Sequence, residues 1–228
     1  MRMDQTIDRA CLAFLEGFLT APRLEKIERV LGQRTAYLRV VLEDIFQPHN
    51  ASAAMRSCEC FGVQHLDIIE NRYAYAPNNE VSMGAGKWVS LHRHRAPGID
   101  NTTACLAALK ARGYQIVATA LQAETIPLSA LSIDRPVAVC FGTEEDGLSK
   151  SALDLADATI SIPMFGFTQS FNISVAVSLT LYDLCGRLRQ EREDWRLSDE
   201  EQLALRWDWV CRSLKNPEAL IRRFESGR

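Results

Sequence analysis

The sequence has no apolar run approaching the ~18 residues that a membrane-spanning helix requires. Its first eight residues, Met-Arg-Met-Asp-Gln-Thr-Ile-Asp, carry acids where a secretory signal needs an apolar stretch. A cytoplasmic protein without membrane partners is expected. Cysteine is present but unpatterned: the seven, at positions 11, 58, 60, 105, 140, 185 and 211, form no Cys-x-x-Cys pair, and Cys58 with Cys60 is the nearest approach. Without a second pair at zinc-finger spacing, neither a disulfide framework nor a structural zinc is supported; reduced, mostly buried thiols and no metal are expected. Excess positive charge is also missing. Lys and Arg number 26 against 29 Asp and Glu, a net −3, so no global field draws nucleic acid.

Several familiar sites are absent too. Gly84-Ala-Gly86-Lys87 is followed by Trp88 where a phosphate-binding loop needs Ser or Thr, and no third glycine completes a dinucleotide fingerprint. There is no Gly-x-Ser-x-Gly elbow, and no His stands near a Ser or Cys nucleophile in a suggestive context. His49, His65, His92 and His94 suit surface or capping positions better than metal ligation. The His92-Arg-His-Arg95 cluster suits a phosphate or a solvated strand end equally.

What remains is an ordinary globular composition, 47% apolar and 24% charged, in a chain of 228 residues long enough for one full core with appendages. Charge is uneven along it: residues 1–39 hold seven basic against five acidic residues, residues 187–228 ten against nine, and the middle nine against fifteen. Helical spacing marks residues 8–19 and 22–31, the second opened by Pro22. Strand and helix then alternate. Strands are predicted at 37–42, 63–70, 88–93, 114–120, 136–142 and 159–162, and helices at 51–61, 101–112, 149–156 and 172–191, followed by a helical pair at 199–214 and 217–225. The continuous apolar run 136–142 is of the kind buried on both faces of a parallel sheet. The fold class is α/β: a mainly parallel sheet flanked by helices, with a helical leader (1–36), a core (37–192) and a helical extension (193–228). Ligands of such sheets sit at the carboxyl ends of strands, which directs attention to the loops after 42, 120, 142 and 162.

Three of those loops carry unusual residues. Residues 48–56 run from Pro48-His49-Asn50 into a helix; Asn50 suits an N-cap, and Arg56, among small and apolar side chains, must leave the core or find an anion. Residues 141–149 place Glu144, Glu145 and Asp146 between Gly142 and Gly147, permitting close backbone approach to a ligand while the acids disfavour a phosphate; Ser149 suits the cap of the next helix. Residues 162–176 pass from a short strand through Met164, Gly166, Ser170 and Phe171 to a long helix, with Ser170 and Asn172 as reasonable caps. Each alone has a plain structural explanation. Three at neighbouring strand ends make a site.

In this order the three segments resemble the SpoU/TrmH family of AdoMet-dependent RNA ribose 2′-O-methyltransferases, within the SPOUT class. The family pattern Asn-x-Ser/Gly-Ala-x-x-Arg is matched by residues 50–56, Gly-x-Glu-x-x-Gly-[Leu/Ile/Val] by 142–148, and Ile-Pro-Met-x-Gly-x-x-x-Ser-[Leu/Phe]-Asn-x-Ser-x-Ala by 162–176, none with a gap. The likeness spans about residues 25–190, and the helical ends look like the branch that methylates the D-loop guanosine of tRNA, position 18. It implies a trefoil knot at the C-terminal end of the sheet, a homodimer pairing near it, and S-adenosyl-L-methionine bound there. By position, Thr119, Gly142, Ile162, Met164 and Phe171 look like cofactor contacts. Arg56 matches the catalytic position, and Asn50, Glu144, Ser170 and Asn172 match others tied to catalysis or site architecture. For RNA, Arg23, Lys26, Arg29, His49, Arg187, Arg189 and Arg192 are the candidates. Ribosomal RNA, the tRNA wobble ribose, and a silent RNA-binding protein of the same fold are the alternatives.

Overall fold

The computed structural model describes residues 7–120 and 125–227. The chain forms two compact units: one comprises residues 35–195, the other the two end segments, 1–34 and 196–228, together. The divisions expected at 36 and 192 fall at 34/35 and 195/196, and the leader and the extension make a single unit rather than two appendages.

The end unit holds α1 (Arg9–Glu16) and α2 (Ala21–Leu31) from the leader. The central unit follows in chain order as β1 (Thr35–Glu43), α3 (Pro48–Phe61), β2 (Val63–Ile69), a single turn α4 (Asn79–Ser82), β3 (Ser90–His94), α5 (Asn101–Ala111), β4 (Gln115–Thr119), β5 (Ile126–Pro127), β6 (Val137–Phe141), α6 (Lys150–Leu155), β7 (Ala158–Ser161) and α7 (Ile173–Glu191). The extension adds α8 (Asp199–Ser213) and α9 (Pro217–Ser226) to the end unit. A capping box, Ser198 with Glu201, starts α8. Within the end unit Arg206 ties α8 to α1 through Glu16 at 2.6 Å and to α2 through Glu28, and the Arg34 guanidinium lies 5.1 Å over the buried Trp209 ring.

The seven strands form one sheet in the order β3-β2-β1-β6-β4-β7-β5, every ladder parallel. Its central strands are buried on both faces, which is why they read as unbroken apolar runs; all five residues of β6 are buried. Alternate side chains of β1 serve opposite layers. Leu38, Val40 and Leu42 join the cluster under α3 and α7, whereas Val41 joins that under α5 and α6. The expected strand at 88–93 begins at Ser90, because Ala85–Lys87 forms a 3-10 turn that carries the chain past Trp88. The two-residue β5 and the single turn α4 are too short to show a period. The loop expected after residue 120 lies outside the described residues in its 121–124 part.

Two capping expectations are corrected. Asn50 is not an N-cap: α3 begins at Pro48 behind an extended Gln47, since a proline at the first position loses no hydrogen bond, and Asn50 is buried two residues inside the helix. Ser170 precedes α7 without capping it; Asn172 is the cap, accepting from the Ser174 amide at 2.9 Å. Other termini follow expectation. Gly62 closes α3 in the left-handed conformation, at φ 79°, and Ser149 caps α6.

Candidate active site

At the carboxyl ends of β1 and β6, which are adjacent in the sheet, three side chains from distant parts of the chain close a hydrogen-bonded triangle. Asn50 Nδ2 donates to Glu144 Oε1 at 2.9 Å, Asn172 Nδ2 donates to the same oxygen at 2.7 Å, and Asn172 Nδ2 reaches Asn50 Oδ1 at 3.0 Å. Both asparagines have a second tether. Asn50 is fixed by α3, and the Asn172 carbonyl accepts from the amide and hydroxyl of Ser174. Freed from capping by Pro48, Asn50 spends its amide on the triangle. It thereby joins α3, the loop after β6 and the start of α7.

Beside the triangle is a cavity of about 390 Å³, within the range of small-molecule sites. Thr119, Gly142, Ile162, Met164 and Phe171 all line it, together with Glu144 and Ser170. Backbone contacts shape its wall. The loop after β6 folds back so that Thr143 and Gly147 exchange amide hydrogen bonds at 2.9 and 3.1 Å, with Gly147 at φ 71°. A Cβ on Gly142 would lie 2.1 Å from the Gly147 carbonyl carbon and oxygen, so only glycine fits. Thr119 donates its hydroxyl to the Cys140 carbonyl at 2.9 Å, locking β4 to β6 beneath the cavity.

The loop has a foundation that residue patterns did not reveal. Glu43, at the end of β1, is 3% exposed and accepts from the Ser149 amide at 2.8 Å, the Ser149 hydroxyl at 2.7 Å and the Thr102 hydroxyl. A carboxylate ending an apolar strand was the only sequence signal. Asp44 next to it accepts from the amides of Asn71 and Arg72 at 2.7 and 2.8 Å, which binds the loop after β2 to the loop after β1.

Residues 37–182 match the family described as the SpoU rRNA methylase family. The chain belongs to that family. A tRNA (guanosine(18)-2'-O)-methyltransferase of Borreliella burgdorferi is 40% identical over 205 residues, covering 90% of this chain and 92% of the relative. The enzyme of the same description from Thermus thermophilus is 38% identical over 72% of this chain and 82% of its own. Among solved structures, a TrmH/SpoU tRNA modifying enzyme of A. aeolicus superposes with a TM-score of 0.75 at 30% identity, covering 85% of this chain and 97% of that one. The SpoU methyltransferase AviRb from Streptomyces viridochromogenes, solved in complex with AdoMet, shares the fold at a TM-score of 0.59 and 24% identity.

Within this SpoU family member, Arg56 is exposed on α3 and, among the described residues, pairs with no carboxylate. Lys26, Arg29 and His49 are also exposed. The other arginines named as RNA contacts from sequence are engaged. Arg23 donates to the Ser213 hydroxyl within the end unit. Arg187 pairs with Asp183 and donates to the Leu131 carbonyl at 2.9 Å, and Arg189 donates to the Phe61 carbonyl at 2.8 Å over the Trp195 ring. Arg192 pairs with Asp194 at 2.8 Å.

Three of the four histidines of the SpoU core, His65, His92 and His94, depart from expectation, whereas His49 stands on the surface as expected. His65 and His92 are bonded to each other at 3.0 Å, and His94 meets Asp67 at 2.9 Å, on the face of β2 and β3 where Asp67 also pairs with buried Arg39. They are neither caps nor solvated ends; period-2 spacing put them on an inward face. Burial, with the Arg39 charge, pulls the His65 imidazole down to about 3. Burial would raise Asp67, but the His94 hydrogen bond and Arg39 outweigh it and hold that carboxyl below its usual range. Asp67, His94 and Cys105 bring donor atoms within 4.8 Å of one another, an arrangement compatible with a metal, although Arg39 already neutralises the carboxylate. All seven thiols are free, and burial raises Cys105 and Cys140 far above the ordinary thiol range and Cys185 to about 11. None of these three is a poised nucleophile.

Proposed function

We propose that the chain is a cytoplasmic AdoMet-dependent RNA 2′-O-methyltransferase that modifies the guanosine at position 18 of tRNA. The observation that carries this reading is the Asn50–Glu144–Asn172 triangle, which unites the three family motifs at the edge of one cavity. The relatives of that activity at 38 and 40% identity support the choice of RNA.

The cavity fits the cofactor on its own chemistry. Gly142 and Gly147 expose backbone to a ligand, Ile162, Met164 and Phe171 supply apolar wall, and Glu144, Glu145 and Asp146 at the rim favour a cation over a polyphosphate. When bound, AdoMet supplies a methyl group on a positively charged sulfonium. Thr119, Gly142, Ile162, Met164 and Phe171 hold it, and Ser170 with Asn172 shapes the loop beside it and meets the nucleotide.

The protein's remaining task is to align a ribose hydroxyl and take away its proton. Alignment of reactants is worth at most about 7 to 11 kcal/mol. Arg56 holds an RNA phosphate and polarises the hydroxyl. A protonated guanidinium has no lone pair to offer, so the proton passes to a phosphate oxygen. Asn50 and Glu144 keep the surrounding loops in register. Lys26 and Arg29 on α2 and His49 beside the site serve as RNA contacts, while Arg187 and Arg189 are occupied in holding the fold. The loop segment between β7 and α7 passes through the trefoil knot of the SPOUT class. A homodimer covers the exposed stripe of α7, where Val175, Leu179 and Tyr182 are 43, 39 and 73% exposed.

Ribosomal RNA is the second reading, favoured by the description of the family itself. Mass-spectrometric mapping of ribose methylation, in RNA from cells with and without the gene, separates the two. Loss confined to guanosine 18 of tRNA is expected, and loss at a ribosomal nucleotide instead would replace the tRNA assignment.

A further inference from the structure

Two aromatic side chains stand in solvent where an apolar residue has no structural use. Phe46 is 69% exposed and Tyr73 40%, and their rings meet edge to face with centroids 5.1 Å apart. Phe46 lies in the loop after β1, between buried Ile45 and the start of α3, four residues before Asn50. Tyr73 lies in the loop after β2, which Asp44 clamps to the first loop through the amides of Asn71 and Arg72. Arg72 in turn pairs with Asp146 at 3.2 Å, two residues beyond Glu144. The pair is therefore tethered to the same loops that build the active-site triangle. An edge-to-face contact leaves ring face uncovered, and exposed Arg56, His49 and Arg72 belong to the same loop and helix segments.

We propose that Phe46 and Tyr73 form a stacking platform for an unpaired nucleobase of the RNA substrate, adjacent to the nucleotide whose ribose is methylated. The inference rests on the reading of the chain as an RNA methyltransferase and adds a binding site for a base to it. Two rings are too small a patch to anchor a protein partner, but one base covers such a patch. Stacking on aromatics is how proteins hold bases that have left a helix. The unpaired Arg56 guanidinium nearby complements the phosphate beside such a base, a combination of ring and positive charge that a purely apolar partner would not reward.

The test uses the full chain with AdoMet and an unmodified tRNA transcript, comparing wild type with Phe46→Ala, Phe46→Leu, Phe46→Tyr and Tyr73→Ala. Phe46→Ala, Phe46→Leu and Tyr73→Ala should raise KM for RNA roughly tenfold, the loss of one stacked base, whereas Phe46→Tyr stays near wild type. AdoMet affinity, and the slope of RNA affinity against salt, should be unchanged in all four, since no phosphate contact is removed. Phe46→Leu behaving as wild type would show that only bulk matters and would overturn the platform. A parallel loss of AdoMet affinity, or loss of self-association in sedimentation, would overturn it in favour of a structural role or a contact between copies. If wild type binds RNA without methylating it, the proposed activity fails, and the RNA affinities of the same variants decide the platform by the same criteria.

Discussion

Arg56 illustrates how a residue's neighbours define its role. Its helix presents Ala51, Ala54 and Met55 to the core, yet Arg56 itself is exposed and has no carboxylate partner among the described residues. A lone arginine near an anion-binding task should be replaceable for folding and irreplaceable for chemistry. Arg56→Ala should lower kcat on the order of a hundredfold or more with AdoMet affinity held near wild type by calorimetry, and Arg56→Lys should not restore it, because an ammonium lacks the planar fork. Joint loss of turnover and cofactor binding would make Arg56 structural. Gly142 poses the opposite case. With only 2.1 Å available for a Cβ, Gly142→Ala must push the loop back, costing about 1 to 3 kcal/mol and the cavity wall with it. Thermal unfolding and AdoMet titration should both register the change; an alanine variant unaltered in both would contradict this account of the loop. Of these residues, Arg56 and Gly142 were legible in the sequence by type. Asn50 was legible as important but misread as a cap, because Pro48 had already started the helix.

At the scale of elements, the site depends on two strand ends meeting, and Glu43 fastens them to the layer above. Its carboxylate is the acceptor for Ser149, which starts α6, and for Thr102 in α5. Glu43→Ala would strand those donors in a buried setting, at about 1 to 3 kcal/mol for each left unpaired. A fall in the urea midpoint of that order, with weakened AdoMet binding, is expected; an unchanged midpoint would mean that water replaces the carboxylate without loss. The sequence shows the regular elements because burial of one or both faces imposes a period on helices and strands. It could not show Glu43's partners, which stand 59 and 106 residues away, nor β5 and α4, which are shorter than any period.

For the molecule as a whole, the group formed by half-buried His65 and His92 with buried Asp67 and Arg39 makes stability depend on pH. Native His65 stays neutral down to about 3, whereas an unfolded chain takes up its proton near the ordinary 6.5. Unfolding therefore binds a proton between those values, so stability is full above about 6.5 and is lost as pH falls towards 3. Asp67, held below its usual range, adds to the loss at the acid end. The urea midpoint should drop between pH of about 7 and about 4, and His65→Gln should flatten that slope; a flat wild-type profile would refute the burial of a neutral imidazole. The class of fold was legible from alternating helix and strand. The joining of the two chain ends into one unit was not, since nothing in either segment's period names its partner. The central claim is transfer of a methyl group to a ribose oxygen, and it is tested most directly with methyl-labelled AdoMet and two tRNA transcripts that differ only in carrying ribose or deoxyribose at guanosine 18. Label should enter the ribose transcript alone; equal labelling of both, or of neither, would contradict the account.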